Sequence, residues 1–439
     1  MVTIANRELK MSSFYYALLM SLILVGGIIA HIDTDKIVVL VSCACFLAMS
    51  EPVIFECVSF LFPLAAAINA PHVWLIVLLI CIIKRKKIGI WALVLCVSVL
   101  LLELIAHFVY GISDSNRMLG YIATIGLFIY MMDETVTDID YASCIRRYIA
   151  GVCTIFFIYC LDAYSTEGIK FLTAILGGNI RFGGTAATDL FANMSIGLNA
   201  NTLAYYSVSA IACIFTMIEF QKRFLEEGQL FYLLIALSWC VLIGAITISR
   251  TWLLAVCVCL LLYLFSRNKK PLAFIKRFLI ITIIASISFY FVYSKTAIFD
   301  SFLSRFETAS MTTANGRTTI TSDYLSAFFQ SDVFMLLGTG VTDYNQVINQ
   351  YMSVHAGAIQ ILVCLGFPGA SLLLAYLCRP ICKAIKKRVG LIWWLPIIII
   401  VLFTQTIQFL NPYMLMLPYT IGVYALRLGK IIGGEEKLK

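Results

Sequence analysis

Arg250 is the residue whose setting asks most for a chemical explanation. It stands in Ser249-Arg250-Thr251 and is the only charged residue among the 36 from Leu230 to Phe265. One membrane span takes about 20 apolar residues, so this stretch is barely long enough for two. It predicts a helical hairpin with Arg250 at the tight turn. The run after it, Thr251–Phe265, rises only about 22 Å at 1.5 Å per residue. The hydrocarbon core is roughly 30 Å thick, so the cation is expected at or just below the lipid surface. A cation inside the membrane costs about 2.5–3.5 kcal/mol on insertion scales, too much to be kept for packing alone. Arginine's planar fork suits a two-point grip on phosphate.

Few other side chains can do chemistry. There are four histidines. His31 and His72 flank apolar runs, where an interfacial place explains them. His107 follows Glu103 by four residues, which puts both on one helical face. The pair reads either as a proton relay or as a hydrogen-bonded structural pair. His355 stands at the mouth of an apolar run, in Val354-His-Ala-Gly-Ala-Ile-Gln360, after a long polar segment. An unperturbed imidazole titrates near neutral pH, so His355 is the best general-base candidate. Asn199 and Asn201 flank one residue before another apolar run, and Asn201 is read as the cap of that helix. The 15 cysteines are scattered through apolar runs without zinc-ligand spacing, and no metal site or cofactor is expected.

The elements that must position these residues are membrane helices. Apolar residues make up 61% of the 439-residue chain, charged residues only 13%, and the mean hydropathy is +0.94. That excludes an ordinary soluble protein. The runs are continuous rather than alternating, which argues against a β-barrel. We read an all-α polytopic membrane protein with about 12–14 transmembrane helices. The runs cover 14–32, 37–50, 53–69, 72–83, 88–110, 118–132, 148–162, 202–218, 230–247, 252–265, 279–294, 357–377, 391–409 and 413–426. With the N-terminus in the cytoplasm, 24 of the 32 cations fall on the cytoplasmic side, as the positive-inside rule requires. Both termini are then cytoplasmic. The net charge of +8 sits in short loops between spans, which fits topology better than nucleic acid.

Eight cations remain outside: Lys36, Arg117, Lys170, Arg181, Arg250, Lys295, Arg305 and Arg317. Five are arginines, against the topological trend, which points to an outward-facing site for an anionic ligand. Two outer loops are long, 162–201 and 295–352, the second lying before the last three spans. Loops of such length are uncommon without a function. The larger one carries Asn315-Gly-Arg317, a helix expected over Thr318–Gln330 with Tyr324, Leu325, Phe328 and Phe329 on one side, and a turn at Gly338-Thr-Gly340.

The order of these motifs is familiar. Arg181-Phe-Gly-Gly precedes Gly197-Leu-Asn-Ala-Asn-Thr-Leu-Ala, then Ser249-Arg250-Thr251, the large loop, His355 and Leu365-Gly-Phe-Pro-Gly369. Over about residues 180–380 the chain resembles the bacterial O-antigen polymerase and ligase superfamily and the related capsule and exopolysaccharide polymerases. It departs from that pattern at Ala356, where the family often has Asn after the histidine, and at Ala200, where it usually has Pro. The resemblance implies a GT-C-like, metal-independent glycosyltransferase in the bacterial inner membrane, working at its outer face. It implies a glycan on undecaprenyl pyrophosphate as donor, and a new lipid-linked repeat unit as the polymerase's acceptor. A chain-length regulator and a flippase are implied partners. In that setting Arg250 and His355 are the expected catalytic residues. Arg181, Arg305, Arg317, Asn199 and Asn201 are the expected pyrophosphate- or glycan-binding residues. Two rivals stay open: a ligase transferring glycan to a final acceptor, and a flippase or other transporter of lipid-linked oligosaccharide.

Overall fold

Continuous apolar runs leave the backbone no partner in lipid except itself, so they fold as helices. A computed structural model describes residues 2–68, 70–84, 88–111, 114–136, 138–177, 182–183, 196–224, 229–267, 300, 317–350, 353–410 and 416–435. Among them there are helices and no strands. In chain order the helices are α1 (Val2–Ala30), α2 (Asp35–Ala48), α3 (Glu51–Leu61), α4 (Ala70–Lys84), α5 (Ile90–Tyr110) and α6 (Ser115–Met132). Then come α7 (Tyr141–Glu167), α8 (Lys170–Leu176), α9 (Ala200–Phe224), α10 (Gln229–Ile246) and α11 (Arg250–Arg267). The last are α12 (Arg317–Phe329), α13 (Asp332–Leu337), α14 (Tyr344–Val347), α15 (Gly357–Lys386), α16 (Leu395–Phe403) and α17 (Met416–Glu435).

Among the described residues, five helices are long and apolar enough to cross a membrane: Ser12–Ala30, Ile90–Tyr110, Tyr141–Glu167, Ala200–Gln221 and Gly357–Lys386. Ala70–Lys84, Leu230–Ile246, Arg250–Ser266 and Leu391–Phe403 are shorter apolar helices. The chain is a helical membrane protein. Of the fourteen apolar runs, that at 279–294 lies outside the described residues, and each of the others carries a helix. Two are modified. The run 53–69 is α3 followed by a 3-10 turn over Phe62–Ala66, and it is buried from Val53 to Ala65. The run 391–409 stops being helical at Phe403, where Thr404–Thr406 turn the chain. The first long loop is shorter than expected, because α7 continues to Glu167 and α8 follows at once.

Burial separates the helices into layers. Of the spanning stretch of α9, 89% lies inside the bundle, against 28% for α5. So α9 is the central post, packed by α7, α10, α11 and α16, and α5 is peripheral. Small hydroxyl residues let α9 take close neighbours: Ser209 bonds the Tyr148 hydroxyl of α7 at 2.6 Å. The Ser207 hydroxyl donates to the Cys240 carbonyl of α10 at 2.7 Å and accepts the Trp252 indole N–H of α11 at 2.8 Å.

Contacts between distant loops sort the structure into two ends. At one end Lys383 of α15 pairs with Glu134 after α6, and Arg427 of α17 donates to the Met132 carbonyl. This is the basic end. At the other end lie the start of α9, the α10–α11 turn, the start of α15 and residues 338–343; it carries the sequence motifs.

Candidate functional site

Three motifs meet at the turn that carries Arg250. Helix α10 ends at Ile246, and Thr247–Ser249 turn the chain into α11, whose first residue is Arg250. Ile248 sits in the left-handed region at φ 49° and is buried. A branched side chain there costs on the order of 1–3 kcal/mol, tolerated only where the surroundings hold it. The holding contacts are visible. Ser249 Oγ accepts the Trp252 N–H at 3.4 Å, and the Trp252 indole is fastened to Ser207 of α9.

Two residues of the Arg181-Phe-Gly-Gly motif, Phe182 and Gly183, close on this turn. The Phe182 N–H donates to the Ile246 carbonyl at 3.2 Å, and the Phe182 ring is fully buried, edge-on to Tyr159 at 4.9 Å. Gly183 lies against the start of α9: a Cβ there would meet the Ala200 nitrogen at 2.8 Å. One dipeptide therefore joins the head of α9 to the end of α10, where the turn into α11 begins. Arg250 is the first residue of α11, and a helix N-terminus favours negative charge through its unpaired N–H groups.

At the head of α9 the cap is Asn199, not Asn201. Asn199 Oδ1 accepts from the Asn201 N–H at 2.7 Å and the Thr202 N–H at 3.1 Å. This corrects the sequence reading, and the reason is register: the helix begins at Ala200, which puts Asn201 inside the first turn.

His355 belongs to the same end. It is exposed, two residues before α15. The Gly357 N–H donates to the Thr404 carbonyl at 2.7 Å, and Phe403 next to it packs on Tyr205 of α9 with ring centroids 5.3 Å apart. Inside the mouth, buried Gln360 accepts the Leu410 N–H at 2.9 Å. The head of α15 is thus tied through residues 403–410 to the helix that Asn199 caps.

A second junction lies beside it. Helix α15 breaks at Gly366, where φ is 63° and ψ −178°. The break and Pro368, which has no N–H, free the carbonyls of Val363 and Cys364 from their usual i+4 donors. The Gly338-Thr-Gly340 turn supplies replacements: Thr339 N–H to Val363 at 3.0 Å and Gly340 N–H to Cys364 at 3.0 Å. No side chain fits here, since a Cβ on Gly338 would come 2.3 Å from the Cys364 carbonyl. Helix α12 covers the break, with Phe328 on Phe367 at 5.3 Å and Tyr324 on Tyr344 at 5.7 Å. The apolar side expected over Thr318–Gln330 therefore packs onto α15 and the loop.

Glu103 completes this junction, and its role differs from both sequence readings. Its carboxylate is buried and accepts the Val341 N–H at 2.6 Å, the Thr342 N–H at 3.0 Å and the Thr342 hydroxyl. It anchors the large loop to α5 rather than pairing with His107. The buried His107 Nδ1 has no hydrogen-bond partner among the described residues. Arg117, one of the eight cations expected outside, serves the same loop: it pairs with Asp343 at 2.9 Å and with Asp114 at 3.0 Å.

Of the site residues read from sequence, the structure brings Asn199, Asn201 and Arg250 to one junction and ties His355 to it. Arg181 and Arg305 lie outside the described residues. Arg317 opens α12. The residues that sequence reasoning missed are Glu103, as a loop anchor, and Gln360. Searches against protein-family models, curated proteins and solved structures find no match for the chain.

Proposed function

We propose that this protein is a membrane glycosyltransferase that polymerises surface polysaccharide, moving a glycan from undecaprenyl pyrophosphate onto the sugar of a new lipid-linked repeat unit. The observation that carries the reading is the meeting of Phe182-Gly183, the Asn199 cap and the Arg250 turn at one point. Three stretches that make up the family resemblance are contiguous in space. The motif end is the outer face in this reading, and the full complement of 12–14 spans and the cytoplasmic termini belong to it.

The chemistry follows from the geometry. Outside the cytoplasm the energy comes from the sugar–pyrophosphate bond. As that bond breaks, negative charge builds on the departing pyrophosphate. Arg250, at the head of α11, stabilises that charge, with Arg181, the residue before Phe182, and Arg305 and Arg317 from the large loop as further contributors. Such preorganised donors contribute most where charge develops. The acceptor hydroxyl must lose its proton, and in this reading His355, exposed at the mouth of α15, takes it.

A gel of surface polysaccharide from a strain lacking the gene tests the reading. Single repeat units in place of long chains are the expected result. Long chains held on the carrier lipid, with none on the final acceptor, would identify a ligase. An unchanged pattern would remove the glycan reading and put a transporter in its place.

A further inference from the structure

The basic end holds a cavity that plays no part in glycan transfer. It has a volume of about 450 Å³ and lies between the end of α6, the last turns of α15 and the last turns of α17. Pockets of some hundreds of cubic ångströms are the size that small ligands occupy. Its charged lining is Glu134, Lys383, Arg427 and Lys430.

The charges do not balance. Lys383 and Arg379 stand four residues apart on one face of α15, and both reach Glu134, Arg379 at 3.6 Å. Burial pushes the Glu134 carboxyl up, but Lys383, Arg379 and Arg427 together hold it below the ordinary carboxylate range. That single carboxylate faces three cations, and Lys430 adds a fourth to the cavity wall. Arg427 spends one arm on the Met132 carbonyl and lies over the Tyr141 and Tyr424 rings, 5.9 and 6.0 Å from their centroids. Its other arm, Nη1, is buried with no hydrogen-bond partner among the described residues. A buried guanidinium arm without an acceptor is costly, and a ligand oxygen is the natural remedy. Lys430 lies one turn further along α17 and is exposed.

The remaining wall is apolar. Pro380, Ala384, Leu426 and Ile431 line it, and Ile431 and Ile385 are exposed beside it. A free anion has no use for such a wall, but an acyl chain does. Basic pockets between membrane helices are where anionic headgroups bind. We propose that this cavity binds the phosphate headgroup of an anionic phospholipid in the leaflet at the basic end, with Lys430 and the Arg427 guanidinium, its unpaired arm turned into the cavity on binding, on the phosphate oxygens and an acyl chain along Leu426 and Ile431.

The test uses the purified, delipidated full-length protein and native mass spectrometry. It is titrated with phosphatidylglycerol, with phosphatidylcholine and, separately, with inorganic phosphate. We expect at least one phosphatidylglycerol bound at least tenfold more tightly than phosphatidylcholine, and Lys430→Glu to erase that preference. Lys383→Gln should weaken it, while Lys36→Gln should leave it intact. Melting temperatures without lipid show whether a variant folds. Should Lys383→Gln prove unstable, the exposed Lys430 carries the test. Undiminished preference in Lys430→Glu would overturn the assignment. So would inorganic phosphate that competes fully with the lipid at equal concentration, which would make the cavity a free-anion site.

Discussion

The motif end contains two junctions only a few helices apart, built in opposite ways. At the Glu103 junction the carboxylate and the freed carbonyls all find donors. One carboxylate takes three donors, and two carbonyls freed by the α15 break take two more. At the Arg250 junction three backbone segments are stitched together around a strained turn, and a permanent cation opens the helix that leads away from it. The first junction is a lock and the second a platform. The difference teaches that a charged residue in a membrane helix is not informative by its charge alone. Glu103 and Arg250 both break apolar runs, yet Glu103 is held by three donors from the large loop while Arg250 opens a helix at a strained turn.

Variants can break or sharpen this contrast. The largest effect is expected at the platform. Arg250→Ala should lower glycan transfer about 10²–10³-fold, the cost of losing one preorganised charge stabiliser. Its thermal stability in detergent should stay near wild type. Arg250→Lys keeps the charge but loses the fork, and should also be severely impaired. Full activity in the lysine variant would show that charge alone matters there. His355→Ala should cost about 10²-fold or more in transfer with normal membrane levels. A normal polymer from it would remove His355 as the base.

At the lock the order of readouts reverses. Glu103→Leu leaves the Val341 and Thr342 donors unanswered in an apolar setting, at about 1–3 kcal/mol for each unsatisfied group. The melting temperature should fall, and activity should fall with it. Glu103→Gln keeps one acceptor oxygen and should fall less. A Glu103→Leu variant that melts like wild type but is inactive would move Glu103 from lock to platform. Asn199→Ala should cost about 1 kcal/mol through the lost cap, and Asn199→Asp should restore it. Arg117→Ala should do least, about 0–1 kcal/mol, because its ion pairs with Asp343 and Asp114 are exposed to solvent.

What the sequence made legible follows from how local each signal is. The hairpin at Arg250 could be read because one charge interrupts an apolar run that is too long for one span. The helix at Arg317–Phe329 could be read from its apolar side. The cap was misread by two residues, because Asn at either position satisfies the same rule and only the register of α9 decides. Glu103 could not be read correctly, since its partners lie 238 and 239 residues away. The Gly366-Phe-Pro368 break did carry half a message. A proline in a helix frees a carbonyl that must find a donor, but nothing local says that Gly338-Thr-Gly340 supplies it. The basic cavity was hidden for the same reason: its cations were legible only as topology until Glu134 and the unanswered arm of Arg427 gave them a shape.

The most direct test of the account is transfer in a purified system. Wild type, Arg250→Ala and Glu103→Gln would be reconstituted with lipid-linked repeat units, and release of undecaprenyl pyrophosphate would be followed alongside chain length. The account predicts that wild type makes long chains and releases the carrier. It predicts that folded Arg250→Ala does neither, and that Glu103→Gln loses activity only in proportion to its lost stability. Wild-type release of carrier by Arg250→Ala would contradict it.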